Sequence, residues 1–149
     1  MYDIIIIGGG IAGISAAAKL SAASSVAVLE KESLFGYHAS GRSAASYIPD
    51  YGNQTTRLLN QFSLNELKTL NGGVLTKRGL LMLGQKYQKG IFKSETKAYG
   101  LSLIDIIEAK RFLPIINSKK VTFASYSEDI FDLDTNQLMQ NYMAICKKN

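Results

Sequence analysis

The chain has one cysteine, Cys146, and one histidine, His38, in 149 residues. A single cysteine excludes an intrachain disulfide and fits a reducing compartment. Cys146 falls on the apolar stripe of an expected helix, where packing is its expected role. No apolar run approaches the length of a transmembrane span. Ile4–Ile7 with the small residues after it resembles a signal peptide, but a basic leader is missing and Gly8, Gly9 and Gly10 interrupt the stretch. A soluble, cytoplasmic chain with no membrane span is expected. There is no internal repeat. The net charge is +5, yet Lys and Arg are scattered and only short pairs such as Lys119–Lys120 and Lys147–Lys148 occur, so a solvated surface is expected and no nucleic acid. The 46% hydrophobic content is enough for a core and argues against disorder.

What is present is strongest at the start. Tyr2 to Ile7 is β-rich and apolar apart from Asp3, which suits a parallel strand buried on both faces. The glycines end it. Ile11 to about Ser21 is helix-compatible, with Ile11, Ile14, Ser15 and Ala18 on one stripe. Val26 to Leu29 is a second buried strand, closed by Glu30. Lys31 to Gly52 has little periodicity, and so long a loop inside a compact domain points to function. Gln54 to Leu70 reads as an amphipathic helix with Leu58, Leu59, Phe62, Leu67 and Leu70 inward, stopped by Asn71-Gly72-Gly73. Val74 to Gly84 reads as a hairpin turning near Lys77–Gly79. Helices follow near Gln88–Tyr99 and Ile107–Leu113, then a strand at Val121–Ser127. Asp134 is placed to cap a last helix, with Gln137 three residues on as in a capping box, and Leu138, Tyr142 and Ile145 inward.

Gly8-Gly9-Gly10-Ile11-Ala12-Gly13 matches G-x-G-x-x-G between a strand and a helix. Gly8 permits the tight turn, Gly10 lets a pyrophosphate approach the backbone, and Gly13 lets the helix pack closely on the sheet. The open N–H groups and positive dipole end of the helix then face a diphosphate. Glu30 ends the second strand about 20 residues past the turn, where a carboxylate accepts hydrogen bonds from ribose hydroxyls and disfavours a 2′-phosphate. NADP is thereby disfavoured. The fingerprint alone does not decide between FAD and NAD.

Gly36-Tyr37-His38-Ala39-Ser40-Gly41-Arg42-Ser43-Ala44-Ala45 is more informative. Small residues allow close backbone approach, Arg42 supplies charge and Ser43 a hydroxyl. Arg42–Ala45 could start a short helix and add N–H donors. With this segment the chain resembles the glycine oxidase/D-amino-acid oxidase family of flavoproteins, nearest to the bacterial D-amino-acid dehydrogenases, D-arginine dehydrogenase among them. The likeness is carried by Asp3–Leu20, Val26–Glu32 and above all Gly36–Gly52, with a weaker echo through Lys120–Asn149, where Asp132-Leu133-Asp134-Thr135 leads into the last helix.

The resemblance implies an FAD cofactor on the glycine turn. Gly8, Gly10, Ile11, Ala12 and Gly13 would hold the pyrophosphate, Glu30 the adenosine ribose, and Lys31 would lie beside the adenine. Ser40, Gly41, Arg42, Ser43, Ala44 and Ala45 would line the diphosphate and the flavin edge. Tyr51 matches a family tyrosine on a substrate-touching lid, Ile48–Gln54. Ser46 stands where close relatives have a histidine near the substrate amine, and Gly79 near where they have a glutamate for a basic substrate side chain. Both departures argue against arginine. Tyr51 and Ser46 are the candidate catalytic positions. His38 has no carboxylate nearby in sequence to orient it and reads as a loop histidine near the cofactor. Tyr47 reads as packing. Asp132 and Asp134 read as turn and cap residues, not metal ligands.

The expected fold is α/β: a Rossmann-like FAD-binding βαβ unit with an incomplete parallel sheet, plus the first part of an α+β substrate domain. Residues 1–52 would form the FAD-binding unit and flavin loop, and 53–149 a helical and hairpin segment that starts the substrate domain. A third parallel strand is wanting. In the resembling family the remaining strands, and the arginine that pairs with the substrate carboxylate, come from later sequence. A truncated or split gene product is therefore expected, with a small amine or amino-acid substrate and a separately encoded C-terminal half as partners. Two rivals stand beside an FAD-dependent oxidoreductase: a non-catalytic remnant that binds nucleotide weakly or not at all, and a small NAD-binding module.

Overall fold

The computed structural model describes residues 1–148. In chain order the elements are β1 (Ile4–Ile7), α1 (Ile11–Leu20), β2 (Val26–Leu29), β3 (Ser46–Tyr47), α2 (Gln54–Thr69), β4 (Leu75–Lys77), β5 (Leu80–Gln85), α3 (Lys89–Ala98), β6 (Ser102–Ile104), α4 (Ile106–Phe112), β7 (Val121–Ser127), β8 (Phe131–Leu133) and α5 (Thr135–Lys148). They form two compact units. Among the described residues one comprises 1–45, 66–74 and 133–148, the other 46–65 and 75–132. The fold is α/β, with a partial parallel βαβ unit and further β-rich elements.

In the first unit β1 and β2 pair in parallel, Ile4 opposite Val26 through Ile7 opposite Leu29. Asp3, the residue before β1, ties it to Ser25, the residue before β2. Its carboxylate accepts from the Ser25 hydroxyl at 2.6 Å and the Ser25 N–H at 2.9 Å. These bonds, the hydroxyl's first, hold the Asp3 carboxyl below its ordinary pKa. The Gly8 N–H continues the ladder to the Leu29 carbonyl at 2.8 Å. Helix α1 buries Ile14, Ala17 and Ala18 and packs on α5, whose Leu138, Met139 and Tyr142 are buried. The expectation of strands buried on both faces is corrected. Ile5 is 61% and Ile7 87% exposed, while Ile4 and Ile6 are half-buried. With alternate residues pointing to opposite faces, α1 covers one face and no element among the described residues covers the other.

Other bonds tie the first unit together. The Tyr142 hydroxyl donates to Glu66 at 3.0 Å, and the Lys19 ammonium pairs with the same carboxylate at 2.8 Å. The Asp134 carboxylate accepts from the Gln137 N–H at 2.8 Å, as a cap should. The Gln137 side chain does not return to the cap. It donates instead to Asn141, which also receives the Asn71 amide. Cys146 is half-buried beside α1, and burial pushes its thiol up.

In the second unit β7 is central, antiparallel to β5 on one side and β6 on the other. One face of β7 meets α3: Phe123 stacks on Phe92 at 5.5 Å, and the fully buried Ser125 hydroxyl lies 3.0 Å from the Thr96 hydroxyl. The other face meets α4, with Ala124 packed on Ala109 and Ile116, and Tyr126 stacked on Phe112 at 4.1 Å. The expected hairpin over Val74–Gly84 does not form. β4 joins β8 and β3 in one sheet, and β5 joins β7 in another. The reason lies at the turn: the N–H groups of Arg78 and Gly79 both donate to the Ile130 carbonyl, so the chain swings around Ile130 rather than back on β4. Helix α2 matches its expected span, but its stripe is not inward as expected. Leu67 is buried, whereas Leu58, Leu59 and Phe62 are exposed, Phe62 at 82%.

Candidate functional site

Gly8 adopts φ +104°, a conformation other residues rarely take, and turns the chain off β1. A Cβ on Gly13 would overlap the Gly8 carbonyl oxygen. That contact seats the start of α1 against the end of β1. Gly9, given no task by the fingerprint, is equally constrained, because a Cβ there would overlap the Phe35 ring. Gly10 is the N-cap of α1. It brings no capping side chain, and the first turn of α1 has no acid. The helix thus presents its positive end without a carboxylate of its own.

Two side chains from beyond the helix reach this turn. The Glu30 carboxylate accepts from the Gly9 N–H at 2.7 Å and the Glu32 N–H at 3.0 Å. Hydrogen bonding to the Glu32 N–H, then to the Gly9 N–H, lowers its pKa and keeps it anionic. The Ser40 hydroxyl accepts from the Ile11 N–H at 2.9 Å, and a Cβ on Gly10 would lie 3.2 Å from it. Ser40 is carried there by a loop pinned at Gly36, whose N–H donates to the Gly9 carbonyl at 2.9 Å. The Gly41 N–H then closes a turn onto the Gly36 carbonyl at 2.7 Å.

Ile11, Ala39, Ser40 and Ser43 line one side of a cleft of about 220 Å³. Leu133, Thr135, Leu138 and Met139 line the other. Sequence does not single out these four as cleft residues, because it marks the start of α5 only as a cap and a packing stripe. The sole sequence signal was the resemblance through Asp132-Leu133-Asp134-Thr135. The Ser43 hydroxyl accepts from the Ala45 N–H at 3.0 Å. Ala45 has φ +54°, and the expected short helix at Arg42–Ala45 is absent. The chain instead turns at Ala45 to enter β3. Arg42 lies over the Tyr37 ring at 5.1 Å. Ala12, Lys31, Gly41 and Ala44 are exposed. His38 does have a carboxylate partner, correcting the sequence reading: its Nε2 lies 3.0 Å from Glu32 Oε1.

The candidate catalytic positions fall in the second unit. Ser46, on β3 opposite Asp132, is exposed, with its hydroxyl 3.4 Å from Arg78 Nη1. Arg78, not singled out from sequence, also pairs with Asp132 at 2.8 Å. Tyr51 is exposed and stacks on Tyr99 at 5.7 Å. Tyr47 is buried, and its hydroxyl donates to the Asn60 carbonyl at 2.8 Å. Burial first, and the Asp50 charge second, raise the Tyr47 pKa.

A helix start with no capping side chain or acid of its own, a glycine turn and an acid closing the next strand together make a Rossmann-like βαβ unit. The chain belongs to the FAD dependent oxidoreductase (DAO) family, whose model matches residues 3–149. Its fold is shared with L-proline dehydrogenase from P.horikoshii (21% identity, TM-score 0.78), covering 97% of this chain and 41% of that one. It is also shared with glycine oxidase from Geobacillus kaustophilus (19%, TM-score 0.76), covering 98% of this chain and 44% of that one. A third is L-amino acid deaminase from Proteus myxofaciens (21%, TM-score 0.74), covering 99% of this chain and 36% of that one. The chain thus spans less than half the length of each. Among the described residues no helix is long and apolar enough to cross a membrane, and no group of three or more His, Cys, Asp or Glu could hold a metal ion.

Proposed function

We propose that this chain is the FAD-binding front of an oxidoreductase acting on amino acids or related amines, working in the cytoplasm. The observation that carries the reading is the α1 start: no acid of its own, a Gly10 N-cap without a side chain, and Glu30 held anionic beside Gly9. These residues fit an adenosine diphosphate group. Gly8, Gly10, Ile11, Ala12 and Gly13 would hold its pyrophosphate through backbone N–H groups. Glu30 would accept from the ribose, and Lys31 would flank the adenine. Ser40, Gly41, Arg42, Ser43, Ala44 and Ala45 would line the diphosphate and flavin edge. When bound, FAD would supply the redox chemistry as acceptor for the substrate's α-hydride, and hydrolysis of the oxidised amine by water would give a 2-oxo acid and ammonia. Residues 1–52 would carry the cofactor and 53–149 would begin the substrate domain. Tyr51 and Ser46 would face the substrate.

The D-amino-acid preference rests on the likeness through Gly36–Gly52. Proteins sharing the fold act, by their names, on L-proline, glycine and L-amino acids, so the fold does not choose the hand. Reconstitution of the purified chain with FAD tests the core of the reading. Saturable flavin binding is expected, weakened in Gly10→Val and in Glu30→Gln. NAD binding tighter than FAD binding, or an unchanged affinity in Gly10→Val, would overturn it.

A second reading has its own support. Ile5, Ile7 and Leu29 leave an apolar face on a two-stranded parallel sheet, a surface that such sheets normally bury. Residues 1–149 alone would then be non-catalytic, and catalysis would need a further segment to cover that face. Colourless, aggregating protein that becomes soluble and yellow on co-expression with such a segment would favour this reading.

A further inference from the structure

The second unit carries a groove remote in sequence from every residue assigned above. It is about 430 Å³ and runs between α3 and the sheet. Its floor is apolar: buried Phe92 and Leu101, half-buried Phe123, and Leu103, which is 73% exposed on β6 at the edge of the sheet. Its rim is a ladder of Lys89, Lys93 and Lys97. Their i, i+4, i+8 spacing sets successive ammonium stems about 6 Å apart along one flank of α3. All three are exposed. The Lys and Arg ion pairs of the described residues are Lys19–Glu66, Lys77–Glu128 and Arg78–Asp132, and none uses the ladder.

We infer that this groove binds a single free long-chain carboxylate, with its apolar body on the Phe92–Phe123 floor and its anionic head at the lysine ladder. The volume lies in the range of small-molecule sites, which are mainly apolar with a few placed polar groups. Unpaired cations beside the floor call for an anionic head, and their stems extend the apolar wall. A second copy of this chain suits the groove poorly, because its net charge is also positive, +5. The groove is concave and its lysines sit on one side only, which suits one molecule rather than a flat anionic surface.

The test is calorimetric titration of the full chain with dodecanoate below its micelle concentration. Acetate supplies the head without the tail, and dodecyl maltoside the tail without the charge. One-to-one binding is expected for dodecanoate, with acetate and dodecyl maltoside at least about tenfold weaker. The triple variant Lys89→Glu/Lys93→Glu/Lys97→Glu should lose about tenfold or more in dodecanoate affinity. A control with the same net charge, Lys119→Glu/Lys120→Glu/Lys148→Glu, should bind like the parent. Leu103→Asp, at an exposed site, repeats the test should the triple variant lose its far-UV circular dichroism spectrum. Absence of dodecanoate binding, equal binding by the groove triple and the control, or equal affinity for dodecyl maltoside would each overturn the inference. So would ladder-dependent co-sedimentation with phosphatidylserine vesicles in place of dodecanoate binding.

Discussion

The seating of α1 on the glycine turn makes a matched pair of substitutions informative. Gly13→Ala and Gly90→Ala make the same chemical change near the start of two ten-residue helices, α1 and α3. Replacing a helical glycine by alanine favours the helix by roughly 0.4–1 kcal/mol. At Gly90 nothing lies within 4 Å of the new carbon, so that gain should appear undiminished. At Gly13 the carbon overlaps the Gly8 carbonyl oxygen and lies 3.3 Å from Ile6 Cγ2. The obstructing atom is backbone in a turn fixed by Gly8 at φ +104°, so no side-chain rotation can relieve it. Overpacking of this kind costs about 1–3 kcal/mol, and the rigid partner puts it toward the upper end. The expected net change is a loss of about 1–2 kcal/mol for Gly13→Ala, against a gain of about 0.4–1 kcal/mol for Gly90→Ala. At roughly 2–4 °C per kcal/mol for a chain of this length, the two melting temperatures should separate by about 3–12 °C. Thermal unfolding followed by circular dichroism at matched concentration measures it. Melting points within about a degree of each other would refute the close seating of α1 on β1.

Three other outcomes follow from named contacts. The Glu30 carboxyl has a depressed pKa in the folded chain, from the Glu32 and Gly9 N–H groups, so its stabilisation is complete above its unfolded value near 4.3 and is lost as pH falls through the lower folded value. Glu30→Gln should therefore flatten part of the acid limb of urea midpoints, and an acid limb identical to the parent's would contradict the bond network. The Tyr142 hydroxyl is pushed up to about 12 by burial and by Glu66. Its contribution is present below the unfolded value of about 10 and lost as pH rises toward and through the folded one. Tyr142→Phe should cost about 1 kcal/mol near neutrality and weaken the alkaline loss, as read by denaturant midpoints. Gly79 sits at φ +74° with Tyr126 Oη 2.5 Å from the place of a Cβ. Gly79→Glu should cost at least about 1–3 kcal/mol in backbone strain, and a stable Gly79→Glu chain would show that the left-handed turn is dispensable.

The parts of the fold set by neighbours in sequence were readable, and those set by distant chain were not. Gly8 through Glu30 declared strand, turn, helix and strand because each step follows from local chemistry: β-branched residues, glycine conformations, small helical residues and a closing acid. β7 was located to the residue, since Val121–Ser127 is preceded by a turn and followed by a bend. The pairing of β4 with β8 and of β5 with β7 was not legible, because it depends on the Ile130 carbonyl some fifty residues away. Phe62 and Leu59 on α2, and Ile5 and Ile7 on β1, follow periods that ask for burial, yet stand exposed. Periodicity reports that an apolar face exists, not what covers it. The same limit hid Leu138 and Met139 in the cleft, where they read only as core, and hid the lysine ladder of α3 among scattered charges.

Two N–H groups of the glycine turn, those of Gly9 and Ile11, already have protein partners, and this shapes what an anion could gain there. The Ile11 N–H has the Ser40 hydroxyl and the Gly9 N–H has the Glu30 carboxylate. Neither donor is an orphan waiting for a partner, so the usual cost of a buried unsatisfied N–H does not drive binding. What remains is the difference between a neutral hydroxyl acceptor and a charged phosphate oxygen, the latter bond being roughly twice as strong, together with the field of a helix start that has no acid in its first turn. Glu30 works against part of that field, since its charge already sits on the turn. Under the proposed function this placement would divide the site: anionic charge sits toward the β2 side, where neutral hydroxyls would be recognised, and none sits on the Ser40 side, where a diphosphate would lie. On the proposed function, the selectivity of such a turn for a dinucleotide over free phosphate would reside in having both halves at once, and a chain with either half removed should keep the fold while losing that discrimination.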